Sequence, residues 1–328
     1  MTKLKERTKY LIVIGIAVLV YLVLANLMRY QVLNNYHIQI ITFAGINIIL
    51  AVSLNLINGI TGQLSLGHAG FMSVGGYVAS VASIKMGIPF LPALILGGIA
   101  AAIVGCLIGF PTLRLKGDYL AITTLGFGEI IRVLFVNIEY VGGARGLMGI
   151  PKKTTFDIVY LLAVVTVLVV INIINSTHGR ALKSIREDEI AAEAMGINTT
   201  KYKVMAFTVA AAFAGIAGGL YAHYIMYINP KSFDFLKSID IVIMVVMGGM
   251  GSIIGSIFSS IVLTILPEAL RQFSDYRMVI YSLALILVMI YRPSGLLGTK
   301  ELSISGAAKR LKKLFGKERG VKDGTSKS

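Results

Sequence analysis

The chain has 328 residues, 56% of them hydrophobic and only 14% charged, with a formal net charge of +15 and a mean hydropathy of +0.79. A soluble domain carries roughly a quarter charged residues, so these values exclude one and define a polytopic membrane protein. Lys and Arg cluster at the two ends and in short loops, without a basic groove or base-stacking aromatics, which excludes a nucleic-acid partner and makes the charge a matter of topology.

Lys3, Lys5, Arg7 and Lys9 precede an apolar run from Tyr10 to Leu27. The run is long and lacks a small-residue cleavage site, so it predicts an uncleaved first helix with residues 1–9 on the cytoplasmic side. Further spans are expected at 38–57, 63–85, 90–113, 118–138, 155–174, 202–227, 238–266 and 277–291, most of them near the ~20 residues that a crossing needs. The single Cys106 falls inside one of these runs; it excludes an internal disulfide and a thiolate metal site and reads as a packing residue.

Polar residues interrupt the apolar runs in three places. The stretch TGQLSLGHAGFMSVGGY, 61–77, opens the third span with Gln63, Ser65 and His68 beside glycines that include Gly67. His68 reads either as a hydrogen-bonded interior residue or as a ligand or proton carrier. In LKGDYLAITTLGFGEIIR, 115–132, Glu129 and Arg132 stand three residues apart on one helical face, where pairing lowers the penalty for burying either charge. The run 238–266 is about 29 residues long and is interrupted by GGMGS at 248–252. Glycine-rich backbone at membrane depth needs protein or water around it, so Gly67, His68, Glu129, Gly248, Gly249 and Gly251 form a candidate translocation pathway. Close helix packing through small residues is the alternative use of GSIIGS.

Gly179 to Lys203 (GRALKSIREDEIAAEAMGINTTKYK) carries nine charged residues between two of the most apolar segments. At about 2.5 to 3.5 kcal/mol each, threading them through lipid would cost on the order of 20 to 30 kcal/mol, so the stretch sits in water. Capping oxygens at Asn175, Ser176 and Thr177 and a stop at Gly196 predict one short surface helix or two. The small apolar run IAAEAMG makes it either a docking element or a solvated connector.

Crossing parity ties these readings together. With residues 1–9 inside, six crossings return the chain to the cytoplasm at 176–203. The tail 299–328, with Lys309, Arg310, Lys312, Lys313, Lys317 and Arg319, is basic and belongs inside too. An unbroken span at 238–266 would leave it outside; two short helices meeting at the glycines restore it. The expectation is an all-α bundle of about ten membrane segments over 10–298, some broken at glycines, with both termini cytoplasmic. The tail reads as a disordered topology signal or as a contact to anionic membrane lipid, at about 1 kcal/mol per Lys or Arg.

No GxxxxGK[ST] phosphate loop, HExxH, paired Cys or Ser/His/Asp grouping occurs, so no catalytic residue, metal site or bound cofactor is expected in this chain. If ATP drives its action, another polypeptide hydrolyses it.

Together, TGQLSLGHAGF, LRLKGDYLAITTLGFGEIIR, GRALKSIREDEIAAEAMGIN, GGMGSIIGS with the following LPEALR, and YRPSGLLG closely resemble the LivM-type permease of branched-chain amino-acid ABC importers, over about 40–298. The resemblance implies a prokaryotic inner-membrane protein paired with a LivH-type permease. It also implies two cytoplasmic ATPase subunits that hold ATP and Mg, and an extracytoplasmic amino-acid-binding protein. It makes 176–203 the coupling segment, a cytoplasmic coupling helix that fits a cleft on the ATPase. The importer motif, EAA then Gly after three residues, aligns with Ile190, Ala191, Ala192 and Gly196; Ile190 stands where the motif has Glu, with Glu189 and Glu193 on either side. Arg180 and Arg186 complete the expected coupling set. Transport would proceed by alternating access driven from the ATPases. An ion-coupled secondary transporter using Glu129, a channel or structural membrane subunit, and a related permease for urea or short amides remain alternatives.

Overall fold

The computed structural model describes residues 2–30, 33–115, 117–271, 276–292 and 295–296; the basic tail lies outside them. Residues 1–26 belong to one compact unit and 27–299 form the other. Helix α1, Thr2–Arg29, continues without a break from the basic residues into the apolar run, and Ile14, Ile16, Val18, Leu19, Leu22 and Val23 are all exposed along it.

In the larger unit the long helices are α2 (Asn35–Asn55), extended by a π-helical turn at Leu56–Ile60, α3 (His68–Lys85), α4 (Phe90–Thr112), α5 (Asp118–Asn137), α6 (Phe156–Asn175) and α9 (Thr199–Ile225). Two short helices, α7 (Thr177–Glu187) and α8 (Glu189–Ala194), lie between α6 and α9. After α9 come α10 (Phe235–Gly248), α11 (Ile253–Ala269) and α12 (Arg277–Tyr291). Among the described residues, five helices are both long and apolar enough to cross a membrane: α2 with its π-turn, α4, α5, α6 and α9. Two-residue strands β1 (Leu147–Met148) and β2 (Tyr227–Ile228) pair antiparallel, joining the segment after α5 to the end of α9.

Helix α9 is the centre of the bundle, packed on α3 and α4 through small residues. Ala210, Ala211, Ala214 and Ala217 are fully buried on it. A Cβ on Gly75 would overlap the backbone of Gly215, and one on Gly218 would overlap the Met72 carbonyl. Small-residue faces bring backbones together where lipid supplies no hydrophobic drive between helices. Gly218→Leu is therefore expected to remove this packing, at a cost above the usual 1 to 3 kcal/mol of overpacking because backbone has to move. Thermal unfolding of purified protein should show a transition lowered by several degrees or absent; an unchanged transition would contradict the packing.

A second layer joins α2 to α6, α10 and α11. Asn47 Nδ2 donates to Thr264 Oγ1 at 2.9 Å, tying α2 to α11. Helices α10 and α11 form a hairpin: the backbones of Gly248 and Gly255 touch, and the Ser259 hydroxyl donates to the Met244 carbonyl, contacts that fall in antiparallel order. Thus the glycines of 248–255 serve both readings, the chain break and the close helix packing. Leu296 N donates to Met247 O at 2.7 Å, so the residues after α12 return to the apex of this hairpin.

Two expectations are corrected. The third span starts at His68 and not at 63, because residues 61–67 run non-helically, pinned by contacts described below. Cys106 is exposed on α4 and packs nothing in the core; the inner face of that helix is made by glycines such as Gly97 and Gly105.

Candidate functional site

The charged segment folds as two helices because each end is capped. The Ser176 hydroxyl accepts from Gly179 N at 3.4 Å, starting α7 directly on the end of α6. Asp188 ends α7 in extended backbone, and its Oδ1 accepts from Ile190 N at 2.9 Å and Ala191 N at 3.0 Å to start α8. Gly196, at φ +83°, closes α8: Ile197 N bonds Ala192 O at 3.0 Å and Gly196 N bonds Glu193 O at 2.9 Å. That pair of bonds is the Schellman stop, which requires a left-handed residue.

On α7, Ala181, Leu182 and Ile185 are buried while Arg180, Lys183 and Arg186 are exposed. On α8 the orientation is the informative feature. Lys203 of α9, 3% exposed, donates from Nζ to Glu189 Oε1 at 2.6 Å. Thr199 Oγ1 donates to Glu193 Oε1, also at 2.6 Å. Ala192 is buried between these two ties. Glu189, Glu193 and Ala192 therefore turn toward the protein's own α9. Outward stand Ala191 and Ala194, with Ile190 and Met195 at 73% and 83% exposure. Ile190, on α8, and Met195, directly after it, thus form a small exposed apolar patch on the side of the segment away from α9.

Arg186 does not belong to that outer face. Its Nη1 donates to the Gly59 carbonyl in the π-turn ending α2, at 2.6 Å. A Cβ on Gly251, at the apex of the α10–α11 hairpin, would come within 2.8 Å of the same nitrogen. Asn55 Oδ1 accepts from Gly251 N at 2.8 Å. Gly248, Gly249 and Gly251 thus stand at the charged end of the bundle, beside α7.

The remaining pathway candidates fall into two places. His68 is fully buried, with Nε2 3.0 Å from Ser53 Oγ, which is itself 3.0 Å from the Leu50 carbonyl, while its Nδ1 is buried without a hydrogen-bond partner among the described residues. Gly67 lies against α5, where a Cβ would overlap the Thr124 carbonyl. Residues 61–67 are held by Ser65 N to Asn58 Oδ1 at 3.1 Å, Leu66 N to Thr124 Oγ1 at 3.0 Å, and, just beyond, Ala69 N to Ser238 Oγ at 3.2 Å. Glu129 pairs with Arg132 at 2.7 Å, both sides about 30% exposed (32% and 28%). Glu129 borders a narrow crevice with Leu66, Gly70, Gly128, Asp234 and Ser238, from which His68 is absent. Sequence reasoning missed Asn55, Asn58, Thr124, Lys203 and Ser238; the two asparagines inside an apolar run were the available signal.

Long apolar helices joined by small-residue packing define a multi-pass membrane protein. Residues 36–291 match the model of the branched-chain amino acid transport system / permease component family. The chain is 39% identical over 260 residues to the high-affinity branched-chain amino acid transport system permease protein LivM of Salmonella typhimurium, covering 69% of this chain and 61% of that protein. It is 25% identical over 272 residues to the probable branched-chain amino acid transport permease protein LivM of Methanocaldococcus jannaschii, covering 75% and 78%. It is also 28% identical over 189 residues to the high-affinity permease protein LivH of Salmonella typhimurium, covering 56% and 60%. The match thus spans about three-fifths of the Salmonella relatives' length. No solved structure matches the chain. The chain belongs to the family of branched-chain amino acid transport system permease components.

Proposed function

We propose that this chain is one permease subunit of an ATP-binding-cassette importer for branched-chain amino acids, working by alternating access. The observation that carries the reading is the α7–α8 pair. It is capped at each end and bolted to α9 through Glu189–Lys203 and Glu193–Thr199, and it offers Ile190 and Met195 outward. A rigid element with an apolar tip passes on force from a partner, whereas a solvated connector needs neither the ties nor the tip.

In this reading α1 to α6 and α9 to α12 are ten membrane helices spanning 10–298, and 1–9, 176–203 and 299–328 lie in the cytoplasm of a prokaryotic cell. A LivH-type permease completes the pathway, as the match to both LivM and LivH relatives suggests. Two ATPase subunits bind ATP and Mg, this chain binds no cofactor, and an extracytoplasmic protein delivers the amino acid. Ala191, Ala192 and Gly196 shape the coupling knob, Arg180 flanks it, and the pathway passes Gly67 and Glu129.

Purification of the tagged chain from its native membrane in mild detergent should recover a second permease and ATPase subunits, identified by mass spectrometry. Proteoliposomes of that complex with its binding protein should take up labelled leucine only with ATP inside, and isoleucine and valine should compete where urea does not. Recovery of the chain alone, with uptake that collapses with an ion gradient, would instead establish the secondary transporter.

A further inference from the structure

We propose that Arg186 is the positioning residue that links the docking loop to the α10–α11 hairpin, so that displacement of α7 is delivered to the hairpin apex; this rests on the reading of 176–203 as the ATPase-docking loop. The Gly59 carbonyl is one of the last in the helical run that ends at the π-turn, where carbonyls lack intrahelical partners and carry the negative end of the helix dipole. Arg186 supplies the missing donor at 2.6 Å, a charge-assisted bond reaching across 127 residues of sequence. Its stem passes over Gly62, where a Cβ would stand 3.0 Å from Arg186 Cγ. Gly251 at φ +91° closes the other side, its own N–H held by Asn55 Oδ1 at 2.8 Å. Three segments distant in sequence, the end of α2, the end of α7 and the hairpin apex, meet at one guanidinium. Residues after α12 join the same apex through Leu296 N to Met247 O at 2.7 Å. Motion of α7 therefore reaches α2, α10 and α11 together. Arg186 faces this junction and not the ATPase.

The test uses the complete complex in proteoliposomes, with ATP hydrolysis and labelled leucine uptake measured on the same preparation. Arg186→Met keeps the stem over Gly62 and removes the donor; Arg186→Ala removes both; Arg186→Lys keeps a cationic donor. Expected are wild-type ATPase subunit content in all three, and hydrolysis that continues in Met and Ala with uptake per ATP lowered about tenfold or more, the worth of one hydrogen bond to a charged group. Lysine restores uptake per ATP to within a few-fold of wild type. Amide exchange at 249–252 should quicken in the Met variant, a readout independent of transport that stands if Ala proves too unstable to purify. Uptake per ATP and exchange unchanged in Met would overturn the proposal. Loss of ATPase subunits from the Met variant would overturn it differently, making Arg186 a contact to the ATPase. A wild-type complex without ATP-dependent uptake would instead remove the functional reading on which the proposal rests.

Discussion

Replacing Ile190 and Met195 together by aspartate is expected to abolish ATP-driven uptake while leaving the chain folded and inserted. Both side chains are mostly exposed, at 73% and 83%, and contribute little to the core. Surface changes of this kind usually alter stability by less than about 0.5 kcal/mol. If the pair enters an apolar cleft on the ATPase, each buried side chain contributes about 1.5 to 3 kcal/mol, and a buried carboxylate adds a desolvation cost. The combined loss is a hundredfold or more in affinity. The check is the ATPase content of the purified complex, with the unfolding temperature of the chain as control. Full ATPase content with normal uptake would remove α8 from the interface. Glu189 and Glu193, on either side of Ile190, are both engaged with α9 and so are not part of this outer face.

The second large effect is asymmetric. In the Glu189–Lys203 pair the lysine is the deeply placed partner, its side chain 4% exposed against 24% for the glutamate. Glu189→Leu leaves a buried ammonium without this carboxylate and should destabilise by about 3 kcal/mol or more, whereas Lys203→Met leaves a carboxylate that water still reaches and should cost less. The double variant should recover most of the loss, because a buried ion pair replaced by packed apolar side chains is often neutral. Thermal unfolding of the three variants distinguishes this from a merely additive effect, in which the double would be the least stable of all.

Much of the fold was legible before any coordinates. The last span, 277–291, coincides with α12, and 90–113, 118–138 and 155–174 each agree with a helix to within a residue at either end. Hydropathy is a local property of the chain, and a helix satisfies its own backbone, so such segments announce themselves. The break at 248–252 was legible for the same reason, since glycines at the apex of a hairpin admit a turn. The start of the third span was not. Glycine, serine and threonine in 61–67 disfavour helix, but what holds the segment non-helical is tertiary: Asn58 takes the backbone donor at Ser65, and Thr124 from α5 takes that at Leu66.

The candidate site divides in the same way. The short helices of the charged segment, the Gly196 stop and the Glu129–Arg132 pairing followed from charge and helical geometry within the chain itself. Which way each side chain points did not. A six-residue helix with acids at 189 and 193 can turn either face outward, and only Lys203 and Thr199 on α9 decide that the acids face in and Ile190 faces out. Arg186 carries no mark of its target, since the Gly59 carbonyl is brought to it by the packing of α2 beside α7. The hydropathy and helical character of each segment are set by residues within a few turns of each other, so the sequence by itself determined them. Orientation, partnership and the junction at the hairpin apex depend on groups tens to hundreds of residues apart, and only the tertiary structure brings those within hydrogen-bonding distance.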